Sequence, residues 1–319
     1  MSTATPIAKT QATPPHRLEG QSLFNGWIVG KKIVKAEGAT GGFFSVGYEC
    51  MLAPRTPGFL KAIDLYTPMA NRDGDVLKAL APFIQGVNVE RELLNQCRKM
   101  DRVVSTIGTG DITVLDGEQL LIPVPFIIFE RAVKNARSVV FAETARPSHG
   151  WRLRTLHQVA VGLRQMHGSM IAHQDVKLSN ILLFANEQGA KIADLGRSVQ
   201  QGLIAPYDEE VWPGDWGYAP PEFVYAYKAD EFNVRRLAAD LYLLGSCACS
   251  IFTGATINGL LYDALDGSFR PRQQRGTYSG TFFDVLPYLK DAFEKVLGRV
   301  RESIPKKAGY RDEMVTMIQ

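Results

Sequence analysis

Two short stretches concentrate groups able to do chemistry. The segment "IAHQDVKLSNILLF", Ile171 to Phe184, sets Asp175, Lys177 and Asn180 between two apolar runs, and "KIADLG" places Asp194 after another apolar run, 14 residues beyond Asn180. An Asp on a loop can accept a proton from a hydroxyl nucleophile, and a Lys two residues on can meet the charge of a transferring phosphoryl group. An Asn five residues after the Asp can turn back to ligate a metal. A strand, a turn and a second strand fit the gap to Asp194, bringing it back beside Asn180. Two such oxygens suit Mg²⁺, which takes a few protein oxygens plus substrate phosphates. Phosphoryl transfer asks mainly for positioning and charge stabilisation, which this set offers. Each piece alone has a plainer reading: a polar loop capping a helix, and a turn aspartate. Their pairing raises the chemical reading above that.

A phosphate-binding end lies upstream. In "ATGGFFSV", Gly41 and Gly42 give flexible backbone, followed by Phe43 and Val46. Backbone N–H groups there can cover phosphates while Val46 packs on a base. Lys61 follows one strand later, inside the apolar run "GFLKAIDLY". A lysine there is costly unless paired. Glu90, bordering the apolar face Val89–Leu93–Leu94–Cys97 of a predicted helix, is the preferred partner, with Glu92 as its rival.

These groups need a scaffold, and the chain supplies two kinds. "GWIVGKKIVKAEG" and "GFLKAIDLY" read as strands, "GATGGFFSVGYECML" as a glycine-rich turn between two strand-like pieces, "DITVLDGEQLLIP" as a hairpin turning at Asp116-Gly117, and "PFIIFE" as a separate short strand. From "WRLRTLHQVAVGLRQMH" onward the apolar spacing is helical. A β-rich first third followed by an α-rich remainder is an α+β architecture of two lobes. The opening residues to about 23, rich in Thr, Ala and Pro, read as a flexible tail without a signal-peptide core. The run Leu241 to Gly254 is too short to span a bilayer and reads as a buried core helix, so no membrane insertion is expected.

The 319 residues are 45% hydrophobic and 22% charged, with a net charge of +3. That is enough apolar material for a sizeable core and too little charge to imply nucleic acid. Cys50, Cys97, Cys247 and Cys249 fit neither a disulfide framework nor a zinc site. They read as reduced thiols in a cytoplasmic protein.

The motifs together resemble the eukaryotic-type (Hanks-type) serine/threonine protein kinase family over roughly residues 24 to 319. "HQDVKLSN" resembles its catalytic loop H-R-D-L-x-x-x-N, and "DLG" its D-F-G. "APRTPGFLKAID" is similar to its lysine strand, "GDWGYAPPE" to the segment ending in A-P-E, and "AADLYLLG" to the aspartate-headed helix after it. The resemblance implies one catalytic domain: a β-rich N-lobe with hinge at 24–132 and an α-helical C-lobe at 133–319. It implies ATP and Mg²⁺ as cofactors and a protein substrate. Asp175 would be the catalytic base, Lys177 would contact the γ-phosphate, and Asn180 and Asp194 would hold Mg²⁺. Lys61 would bind the α- and β-phosphates and pair with Glu90. Phe129 would be the gatekeeper, with Glu130 to Ala132 as the adenine-contacting hinge. Glu222 would pair with a late arginine, Arg311 being the candidate, and Asp240 would brace the catalytic loop through backbone N–H groups.

Departures from the pattern bear on regulation and specificity. Ala39 and Phe44 replace the first and third glycines of the phosphate loop, Leu195 the Phe of D-F-G, and Pro220 the Ala of A-P-E. Asp215 stands where a threonine usually bonds the catalytic Asp and Lys; its charge would repel Asp175 yet can pair with Lys177. Gln174 replaces the arginine that, in the family, meets an activation-loop phosphate, and glutamine makes no comparable pair. Between Asp194 and Glu222, Ser198 is the sole Ser or Thr, and "DEE", Asp208 to Glu210, reads as a solvated acidic turn. The expectation is a Ser/Thr protein kinase not switched on by activation-loop phosphorylation. The alternatives are a pseudokinase acting as a binding module and a small-molecule phosphotransferase with a related core.

Overall fold

The computed structural model describes residues 13–34, 45–53, 55–66, 76–115, 121–143, 146–185 and 189–319. Gly41, Gly42, Phe43, Phe44 and Ala39 of the expected phosphate loop, and the Asp116-Gly117 turn, lie outside them. The described residues form two compact units. One holds the chain up to Arg91 together with Ser105–Arg131; the other holds Glu92–Val104 and Ala132–Gln319.

The first unit is an antiparallel five-stranded sheet plus a long helix up to Arg91, the helix's last residues, from Glu92, belonging to the second unit. In chain order the elements are β1 (Trp27–Lys32), β2 (Ser45–Leu52), β3 (Thr56–Ile63), α1 (Val76–Gln96), β4 (Thr106–Leu115) and β5 (Leu121–Glu130). The spatial order is β1-β2-β3-β5-β4, so β3 is central. Its Lys61 lies opposite Gly47 of β2 and Ile127 of β5. Alternation along β2 sends Val46, Tyr48 and Cys50 into the core with Leu60, Ala62, Val124, Phe126 and Ile128.

Two expectations change here. "PFIIFE" is not a separate strand; it is the second half of the ten-residue β5, which runs through Pro123 and Pro125. Proline has no N–H to give a ladder, but β3 pairs with β5 only from Phe126 onward, so both prolines lie where β5 has β4 alone as neighbour. The segment read as a flexible tail to residue 23 is also structured from Thr13 onward. Pro14–His16 form a 3₁₀ turn, Leu18 is fully buried in the sheet core, and the Tyr48 hydroxyl donates to the Pro15 carbonyl at 2.8 Å. Burying one leucine stabilises by roughly 1.5–3 kcal/mol, enough to hold a short segment that its Thr/Pro composition would leave loose.

The second unit is mainly helical, with small antiparallel strands at its functional end. It contains β6 (Lys134–Asn135), α2 (Ala136–Val140), α3 (His149–His167), β7 (Ile171–Ala172), β8 (Ile181–Phe184), β9 (Gly189–Ile192) and β10 (Val199–Gln200). After these come α4 (Pro221–Val224), α5 (Ala238–Thr253), α6 (Ile257–Ala264), α7 (Phe282–Ser303) and α8 (Arg311–Ile318). Ser148 caps α3 by accepting from the Trp151 N–H. The apolar run Leu241 to Gly254 falls in α5, most of whose side chains are buried among the other helices, as a helix apolar nearly all round requires. It ends at Gly254 in the left-handed region, with φ 82°. No single helix among the described residues is long and apolar enough to cross a membrane.

Candidate active site

In the first unit, Lys61 Nζ donates to Glu90 Oε1 at 2.8 Å, with both side chains largely shielded from solvent. Glu90 is 4% exposed because it flanks the buried Val89, Leu93 and Leu94 on α1. Glu92, on the exposed side of the helix, instead accepts from Gln96 Nε2. Val46 is buried beside Ala62 in the β2–β3 ladder. Phe129 is buried near the end of β5, opposite Phe59. The Glu130 carboxylate accepts from the Ser105 N–H at 2.7 Å, and Ala132 opens the second unit's main segment.

In the second unit, the loop after β7 is built around Asp240, which is fully buried at the start of α5. Its Oδ2 accepts from the His173 N–H and its Oδ1 from the Gln174 N–H, each at 2.7 Å, and His167 Nε2 reaches Oδ2 at 2.9 Å. Gln174 takes the left-handed conformation, φ 65°, between these bonds and Asp175. The His173 ring is fixed from both sides: Nδ1 accepts from the Asp175 N–H at 3.2 Å and Nε2 donates to the Ala193 carbonyl at 3.0 Å.

The β8–β9 hairpin returns the chain, and the Ala193 N–H donates to the Asn180 carbonyl at 2.9 Å. Asp194 follows directly, in the left-handed region at φ 67°. Asn180 Nδ2 donates to both the Asp175 carbonyl, at 2.8 Å, and Asp175 Oδ2, at 2.9 Å. That fixes the amide so that Oδ1 faces away as an acceptor. The donor set of Asn180 Oδ1 and the Asp194 carboxylate is hard oxygen, which fits Mg²⁺.

Lys177 is 4% exposed and shared: its Nζ is 3.0 Å from Asp175 Oδ2 and 3.4 Å from Asp215 Oδ2. The Asp215 backbone N–H donates to Asp175 Oδ1 at 3.3 Å. Asp215 arrives there because Gly214 passes against the Gln174 carbonyl, where a Cβ would sit 2.1 Å from the oxygen. Burial raises the Asp175 pKa above its ordinary value, and the charge and hydrogen bond of Lys177 oppose that rise.

A family model described as "protein kinase domain" matches residues 89–262, more than half of the chain. The chain belongs to the protein kinase family. The match takes in Glu90, Asp175, Lys177, Asn180, Asp194 and Asp240; Lys61 and Val46 precede it. The fold accords, with a sheet-rich N-terminal region and a helical C-terminal region, the two-lobed α+β kinase fold.

Among similar proteins is a receptor protein-tyrosine kinase, CEPR1, of Arabidopsis thaliana, 36% identical over 109 residues, 32% of this chain and 11% of the relative. Serine/threonine-protein kinase SBK1 of Danio rerio is 30% identical over 151 residues, 42% of this chain and 38% of the relative. Mitogen-activated protein kinase kinase kinase 20 of Arabidopsis thaliana is 38% identical over 97 residues, 30% of this chain and 26% of the relative. The chain thus spans well under half the length of these relatives.

One family expectation fails in the kinase domain. Glu222 makes no pair with Arg311, whose buried Nε lies 3.7 Å from Asp312 Oδ1 on its own helix and has no hydrogen-bond partner among the described residues. Burial raises the Glu222 pKa with no cation opposing it. Position near the chain end does not specify where an arginine packs, so sequence order was a weak guide.

Arg236 was missed altogether. It is fully buried and donates through Nη1 to Gln174 Oε1 at 3.2 Å. A signal existed: in "NVRRLAAD" it stands four residues before Asp240, a spacing that puts both on one helical face.

Proposed function

We propose that the chain is an ATP- and Mg²⁺-dependent protein kinase that transfers the γ-phosphate to Ser/Thr hydroxyls of protein substrates. The observation that carries this reading is the bonded set Asp175–Lys177–Asn180, held by Asp240 from below. A binding module has no physical need to bury a lysine between two carboxylates and hold it against a candidate base.

Asp175 accepts the proton of the attacking hydroxyl, and its carboxylate is oriented by Asn180 Nδ2 and the Asp215 N–H. Lys177 meets the charge of the transferring phosphoryl group. Asn180 and Asp194 would hold Mg²⁺, which when bound would neutralise phosphate charge. Lys61, steadied by Glu90, binds the α- and β-phosphates. Gly41, Gly42, Phe43 and Val46 cover the nucleotide, and Glu130 and Ala132 contact its base. The lysine two residues after the base supports Ser/Thr preference, as do the names of the serine/threonine kinases among the relatives. Residues 24–132 serve as N-lobe and hinge and 133–319 as C-lobe of one catalytic domain, which the packed segment from Thr13 extends. Four free, buried cysteines support a cytoplasmic location.

Activation-loop phosphorylation is not the switch. What supports this reading is that Ser198, the sole Ser or Thr of a segment whose other hydroxyls are Tyr207 and Tyr218, is 1% exposed with its hydroxyl donating to the His173 carbonyl.

The test is phosphate transfer from labelled ATP with Mg²⁺, to the protein itself and to a generic protein. Asp175→Asn and Asp194→Asn are each expected to lose at least about three orders of magnitude. Wild-type protein that binds ATP and transfers nothing would favour a pseudokinase. Activity that vanishes when Ser198 is dephosphorylated would refute phosphate-independent activation.

A further inference from the structure

Gln174 leaves open what holds the activation segment if no phosphate–arginine pair does. Arg236 answers in unusual chemistry. It lies in the π-helical turn Asn233–Leu237, one turn ahead of Asp240, and is among the largest fully buried side chains of the protein. Among the described residues no carboxylate lies within ion-pair distance of it; Asp208, Glu210 and Asp240 act on it from farther off. Its Nη1 donates to Gln174 Oε1 at 3.2 Å, and Gln174 Nε2 donates back to the Arg236 carbonyl at 2.8 Å. Its Nη2 reaches three backbone carbonyls of the activation segment: Tyr207 at 3.4 Å, Asp208 at 3.3 Å and Glu210 at 3.3 Å.

The guanidinium thus bridges the catalytic loop on one side and the activation segment on the other. Burial and the neighbouring Arg235 pull its pKa down to about 10, with Asp208, Glu210 and Asp240 opposing, so it stays charged at neutral pH. The planar fork matters: it directs one nitrogen to the amide and the other to the carbonyls, which a lysine ammonium on a single point cannot reproduce. The acidic turn takes part through its backbone, since Asp208 Oδ2 is engaged by the Ala205 N–H at 2.8 Å.

We infer that Arg236 is a positioning residue that, together with Gln174, clamps the activation segment to the catalytic loop and does from within the work of a phosphate–arginine pair. The inference rests on the phosphate-independent reading above and extends it by naming the device. It explains the glutamine: an arginine at 174 would put two guanidiniums in one buried site whose nearest carboxylate, Asp240, already accepts from the His173 and Gln174 backbone N–H groups.

Hydrogen exchange on the nucleotide-free protein and steady-state kinetics test the clamp together. In Arg236→Lys, amides of 203–214 exchange at least about 10-fold faster while those of α5 stay within about 2-fold. In the same variant kcat falls about 10-fold or more and KM for ATP stays within about 3-fold. Gln174→Arg, which restores the family residue, loosens the same amides rather than protecting them. Unchanged exchange and kcat in Arg236→Lys would overturn the clamp, as would equal acceleration across 203–214 and α5, which marks a merely structural role. Should Arg236→Lys fail to fold, Gln174→Arg decides: tighter exchange or higher kcat refutes the clamp. The exchange arm needs no turnover, so it reads out even if the wild type transfers no phosphate.

Discussion

Asp215 and Lys177 form an ion pair at 3.4 Å, while the backbone N–H of Asp215 donates to Asp175 Oδ1 at 3.3 Å. The residue thus presents its charge to the lysine and its neutral N–H to the candidate base. The charge that would have repelled Asp175 is taken up by Lys177.

Removing that charge tests the arrangement. Asp215→Asn keeps the backbone bond and is expected to lower kcat by about 3- to 10-fold. Asp215→Lys sets like charge against Lys177 and is expected to lower kcat at least about 100-fold. A lysine variant with wild-type kcat would rule out the pairing as functional.

The pH profile follows from the buried carboxyl. Asp175 must be ionised to accept a proton, and its folded pKa is raised by burial. Activity is therefore expected to fall as pH drops through that raised value, placing the acid limb above the ordinary carboxylate range. Lys177 opposes the rise, so Lys177→Met should move the limb of kcat/KM to higher pH still. A limb that stays put would remove Asp175 as the titrating base.

Glu222 offers a stability test with the opposite sign from the family pattern. Its folded pKa is raised by burial, so its contribution to stability is fully present below the unfolded pKa and is lost as pH rises through the folded pKa. Glu222→Gln cannot ionise. It is expected to raise Tm at neutral pH, with the gain vanishing as pH falls below the carboxylate range. A loss of Tm at neutral pH would mean that Glu222 has a cationic partner after all.

Ser198 separates burial from regulation. Ser198→Ala removes one hydroxyl bond and should cost about 1 kcal/mol by denaturant unfolding, with kcat within about 3-fold of wild type. Ser198→Glu forces a charge into a buried site. It should cost at least about 2 kcal/mol and lower activity; a more active glutamate variant would sink the phosphate-independent scheme.

Much of the scaffold was legible because it rests on local periodicity. The strand reading of "GFLKAIDLY" and the helical spacing around Leu93 and Leu94 depend only on which face each residue shows, and burial then sorts the faces. The return of Asp194 beside Asn180 needed only two short strands and a turn. Legibility failed where a long-range contact overrode composition. Leu18 anchors a Pro- and Thr-rich segment by entering the sheet core, and β5 carries two prolines because β3 does not extend alongside them.

The sequence by itself determined the order and spacing of Asp175, Lys177, Asn180 and Asp194, because a loop and a hairpin set such distances within a few residues. Only the tertiary structure decided which charges meet. Asp215 reaches Lys177 across 38 residues, and Arg236 reaches Gln174 across 62. Glu222 and Arg311 do not pair. The physical reason is that Coulomb attraction has no sequence signature. A carboxylate finds its cation, or a buried arginine its carbonyls, only where packing brings two distant backbones together.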